Sequence, residues 1–121
     1  MRSNDRTKWF VGLLFAAGCA SVPAPTERVV SARAAIRSAS EVGAAGEPHA
    51  ALHLKLATDG FERADRLVRE DDNDAATDAL MRAESDAELA LVLTRAARAD
   101  DVARQSEEQL RVQRLHAQSS P

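Results

Sequence analysis

The chain has 121 residues, 45% of them hydrophobic but only 3% aromatic, and a formal net charge of −3. That length leaves room for one domain, and an apolar fraction carried mostly by alanine excludes a core of large interlocking side chains, because each alanine removes little apolar area from water. The acidic balance supplies no basic tract for binding nucleic acid by counterion release, and the single cysteine excludes an internal disulfide.

Residues 1–18 read as an address. Arg2, Arg6 and Lys8 stand against Asp5, and a continuous apolar run extends from Trp9 to Ala17. The run is too short to cross a bilayer core, which takes about 20 helical residues. A basic start, a short apolar stretch and small residues are the parts of a secretory signal. The small residues are Ala16, Ala17 and Gly18, with Cys19 immediately after them. This resembles a lipobox, which implies cleavage between Gly18 and Cys19 and lipid on the Cys19 thiol. Ala16 stands where such sites usually have Leu. Two other readings are cleavage after Ala20, giving a soluble periplasmic protein, and an uncleaved membrane anchor. Lipid would supply the anchor that the polar remainder lacks. Ala20 rather than Asp after the cysteine favours the outer membrane, by resemblance to enterobacterial sorting. Residues 19–25 then form a tether, because Pro23 and Pro25 oppose helix and favour extended chain.

Three helices are predicted behind it. The first spans Thr26 to Val42, with Thr26 as N-cap and Val29, Ala32, Ile36 and Ala39 recurring at helical spacing. The glycines of Gly43-Ala44-Ala45-Gly46 end it. The second spans His49 to Glu70, with a stripe of Leu54, Ala57, Phe61, Ala64 and Val68 flanked by Leu56 and Leu67. Gly60 inside this helix costs about 1 kcal/mol against alanine, a sacrifice compatible with close approach of a neighbour. Asp71-Asp72-Asn73-Asp74 makes a polar turn in which Asp72 or Asn73 caps the third helix.

That third helix begins near Asp74 and reaches at least Ala99. Its small-residue stripe is Ala76, Leu80, Ala83, Ala87, Ala90 and Ala97, widened by Leu89, Leu91, Val92 and Leu93. No proline or glycine lies between Phe61 and Ser120 to stop it. The expected fold is all-α: an Ala-rich three-helix up-down-up bundle, or a helical hairpin with a long third helix, occupying residues 26–98. Residues 99–121 overhang as a solvated helix, a partner-binding helix or frayed chain. Arg95, Arg98, Arg104, Arg111 and Arg114 among Asp100, Asp101, Glu107 and Glu108 read there as a mixed solvated face.

Asp86-Ala87-Glu88-Leu89-Ala90, Ala32-x-Ala34-Ala35-Ile36, the break at Gly43–Gly46 and the turn Asp72-Asn73-Asp74 form one set of motifs, distinguished by its spacing and order. On these the chain resembles the bacterial lipoprotein domain of unknown function 4398 over roughly residues 26–100. Where that family often shows Tyr-Ala-Pro and then Glu, this chain has His49-Ala50-Ala51 and His53. The resemblance implies an envelope lipoprotein without an inherited mechanism. Family members are often joined to a peptidoglycan-binding domain related to outer-membrane protein A. This chain is expected to lack one, so wall binding is not carried over through that module.

Candidate chemistry is sparse. His49 and His53 could share a helix face and ligate zinc, but a site needs further ligands, and His-Glu-x-x-His is absent. Glu70 to Asp74 lacks the glycine and the distal glutamate of a calcium loop and reads better as a cap. No nucleophile elbow or phosphate loop occurs. No metal, cofactor, small-molecule substrate or enzyme activity is therefore assigned. The expectation is a non-enzymatic scaffold or accessory protein, held to the membrane through lipid on Cys19 and acting on a protein partner or a second copy through its helices. The alternatives are a chaperone-like binder of apolar clients, tested by dye binding, and a metal module through His49 and His53, tested by zinc stabilisation.

Overall fold

The structure, a computed structural model, describes residues 22–119. Among these, three helices run in order: α1 (Thr26–Glu41), α2 (Pro48–Arg69) and α3 (Asn73–Ser119), with a short 3-10 turn (Ala44–Gly46) after α1. They pass up, down and up, so α1 and α3 are parallel and α2 is antiparallel to both. No strand is present among the described residues.

Each boundary has a local cause. Pro25, at φ −80° and ψ 58°, centres a tight turn in which the Thr26 amide donates to the Ala24 carbonyl at 2.8 Å. That turn starts α1 directly, with the Val29 amide donating to the Pro25 carbonyl. Thr26 therefore lies inside the helix, and Pro25 holds the cap position without a side-chain bond. The expected Thr26 cap is corrected on this point. Gly43 closes α1 at φ +80°, a conformation glycine adopts without steric cost.

α2 starts one residue earlier than the sequence indicates. Pro48 occupies its first position, where a missing amide is harmless, and the Glu47 carboxylate accepts from the Ala50 amide. The α2–α3 turn divides its work between two aspartates. Asp71, at φ +62°, lets its own amide reach the Val68 carbonyl and the Asp72 amide reach that of Leu67, which closes α2. Asp72 then accepts from the Ala75 amide at 3.2 Å and caps α3.

The core is thin. Its buried apolar residues are alanines with the exception of Leu80, the largest side chain fully buried. One cluster joins Ala32, Ala64 and Leu80, with Val29 and Phe61 packed against it. A second joins Ala39, Ala44, Ala50 and Ala90, with Leu54, Leu91 and Leu93 alongside. The buried row of α3 is Ala76, Leu80, Ala83, Ala87, Ala90 and Thr94, in alternating steps of four and three residues. That spacing keeps one stripe of a long helix turned toward its neighbours. Thr94 replaces an apolar residue because its hydroxyl donates to the Ala90 carbonyl at 2.8 Å. Leu89 and Val92 do not widen this row; they point to solvent, 41% and 59% exposed. α2 forms the larger interface with α3, and α1 covers an adjacent strip.

Candidate functional site

Polar contacts tie the bundle at its ends and middle. At the base, the buried Asn73 amide donates to the Val22 carbonyl at 2.7 Å and fixes the incoming chain to the start of α3. In the middle, Glu84 accepts from the Ser31 hydroxyl and lies 3.7 Å from Arg28, joining α1 to α3. The Arg33 guanidinium lies 5.3 Å from the centre of the Phe61 ring, joining α1 to α2. At the far end, Arg98 donates to the Val42 carbonyl and closes the packed part of α3.

The two histidines have separate surroundings. His53 Nδ1 lies 2.9 Å from the Asp86 carboxylate, a link between α2 and α3. His49 is exposed in the first turn of α2. Among the described residues no three His, Cys, Asp or Glu side chains are grouped to hold a metal ion. Glu47, near His49 in the chain, is engaged as a helix cap. The surface depressions between helices are lined largely by charged residues, as where Arg63, Asp78 and Arg82 surround Gly60. Gly18 and Cys19 lie outside the described residues, and among those described no helix is long and apolar enough to cross a membrane.

The feature that stands apart is the far half of α3. From Arg98 onward every described residue is exposed, and residues 99–119 extend roughly 30 Å beyond the bundle at helical rise. The segment is a continuous helix to Ser119 and not frayed chain. Val102, Leu110, Val112 and Leu115 are 62%, 51%, 40% and 56% exposed along it. Asp101 pairs with Arg104, and Glu108 with Arg111 at 3.6 Å. An arm of this length with apolar side chains in water can bind another helix laid along it.

The overhang is legible in residue order, but one connection between α2 and α3 is not evident from it. His53 and Asp86 each belong to a motif of the sequence, and only the fold joins them. The cap at Glu47 is a missed signal, since an acceptor side chain directly before Pro48 is a legible helix start.

The family described as "Domain of unknown function (DUF4398)" matches residues 27–118. The match runs from the first turn of α1 to the last turn of α3, so the arm is part of the family domain and not an appendage to it. No curated protein and no solved structure matches the chain. A three-helix chain with this long third helix, matched along nearly all of its helical length, belongs to the domain of unknown function 4398 family.

Proposed function

We propose that this chain is a cell-envelope lipoprotein, lipidated on Cys19 and held at the outer membrane facing the periplasm, which acts without catalysis as a helical scaffold or accessory protein. The observation that carries the reading is the arm: residues 99–119 are helical, exposed and partly apolar, and have no packing role in the bundle. The address is supported by the basic start, the short apolar run and the small residues before Cys19.

The geometry supports contact through the arm over capture of apolar clients between helices, because the interhelical space is filled by small side chains and rimmed by charge. A photoreactive residue at Leu110 in living cells tests the arm. An adduct with a protein of the envelope is the expected result, and no adduct from any arm position would remove the docking role. Mass spectrometry of residue 19 tests the anchor separately, and Cys19→Ser should release the protein from the membrane.

A further inference from the structure

α3 carries two rows of residues at heptad spacing, on opposite sides. The inward row is the buried one ending at Thr94 and the half-buried Ala97. Continued along the arm in the same steps it becomes charged, through Asp101, Arg104, Glu108 and Arg111. Those four charges are paired within the helix itself. The outward row steps through Leu89, Val92, Ala96, Ala99 and Ala103 and on through Leu110 to Ala117, and it stays apolar or small with Ser106 and Gln113 as its polar members in the arm. Every residue of this row is exposed. It runs over both the bundle and the arm, for roughly 45 Å. Four successive heptads of this kind are the pattern of a coiled-coil face.

We propose that the outward row of α3 pairs with the same row of a second copy, as a parallel two-stranded coiled coil in register. This rests on the docking role of the arm and names its partner. Charge selects the partner and the direction. In a parallel pair the residue just before each Leu89-type position faces the residue five places further along the other chain. Arg95 then meets Asp100 of the other copy, twice by symmetry, and Gln109 meets Arg114. Glu88 and Glu107 face Leu93 and Val102, so no like charges meet. Arg95 and Asp100 are exposed, and among the described residues neither side chain has a hydrogen bond or ion pair within its own chain. An antiparallel pair of the same rows, centred near Ala103, would set Asp100 against Glu107 of the other copy, twice by symmetry, which is repulsive. The outward row faces away from α1 and α2, so two bundles fit on the outer sides of the pair. Both chains then enter from the same end, as two copies fixed to one membrane would. The alanines at the seam permit close approach of the helices, and Leu89, Val92 and Leu110 supply the larger contacts.

Cysteine crosslinking of the full chain in membranes tests this. Val92→Cys, Ala99→Cys and Ser106→Cys are made singly with Cys19 retained, beside the wild type. All three should give a covalent dimer on mild oxidation, because in a parallel pair each faces itself. Arg104→Cys, on the inward side, should not. A dimer from only one of the three positions indicates an antiparallel pair and overturns the proposal, as does dimerisation from none. For the detergent-solubilised chain, Arg95→Glu should weaken self-association roughly five- to tenfold by placing two acidic pairs at the seam. Arg95→Glu combined with Asp100→Arg should restore it, since the opposite charges are merely exchanged. Equal weakening in the single and double variants overturns the assignment of this contact. If Leu110 crosslinks only to a different envelope protein and never to its own chain, self-pairing is wrong while docking by the arm stands.

Discussion

Gly60 of α2 and Ala83 of α3 meet so closely that a Cβ on the glycine would lie 3.3 Å from the alanine Cβ, with the Ala79 carbonyl oxygen 3.7 Å away. The glycine that weakens its own helix is what lets the two backbones approach. Gly60→Leu should destabilise the fold by about 1–3 kcal/mol through overpacking at this crossing. Thermal unfolding monitored by far-ultraviolet circular dichroism reads the loss. Gly60→Ala should shift it far less, because improved helix propensity offsets the crowding of one methyl. An unchanged midpoint for the leucine variant would show that the crossing is looser than this geometry.

Leu80 is the one large side chain buried completely among the described residues, in contact with Ala32 and Ala64. Leu80→Ala should cost about 2–5 kcal/mol, since its alanine neighbours have little side chain with which to fill the space. In a domain of this size that is a large fraction of the total stability. Urea denaturation gives the comparison. Met81→Ala, one residue along on an exposed site, should differ from the wild type by less than about 0.5 kcal/mol.

The left-handed backbone at Asp71 gives a change in the opposite direction. A residue other than glycine at φ +62° carries a steric penalty that glycine does not. Asp71→Gly should raise stability by about 0.5–1 kcal/mol, because the turn that closes α2 is kept. Asp71→Val, whose branched side chain tolerates this region poorly, should lower it. A fall in the melting temperature of the glycine variant would count against the turn described.

Truncation after Arg98 separates folding from contact. Residues 99–119 bury nothing within the chain. At dilutions where the full chain is monomeric, their removal should leave the unfolding midpoint within a few degrees of the wild type, while helical ellipticity falls in proportion to the residues lost. Arg98→Ala, which removes the bond to the Val42 carbonyl at the top of the bundle, should cost about 1 kcal/mol. Hydrogen exchange should then rise around Val42 and Gly43 first.

Helices are legible in the sequence where polar and apolar residues alternate. The α2 stripe of Leu54, Ala57, Phe61, Ala64 and Val68 lies on the buried or half-buried side throughout. α3 is harder, and the reason is chemical. Leu89, Leu91, Val92 and Leu93 are all apolar, so periodicity alone cannot decide which of them face the bundle; Leu91 and Leu93 do, Leu89 and Val92 do not. In a helix where alanine occurs on every side, contrast is lost, and the polar Thr94 and Asn73 carry no mark of their burial. Both are buried because a nearby carbonyl takes their hydrogen bond, from Ala90 and Val22 respectively. Such partners belong to the folded geometry and leave no mark on residue order. The candidate site is legible as an overhang. Its two opposite rows can be told apart only once burial shows which one the bundle uses.

Because the Asn73 side chain grips the carbonyl of Val22, the polypeptide arrives at one extremity of the 47-residue α3 and its far tip lies at the other. The distance between those two extremities is therefore set by residue number, about 70 Å along α3. Adding or deleting seven residues within the exposed stretch would alter that standoff by about 10 Å with only a small rotation of the tip. Adding two or five would swing its far part to about the opposite side.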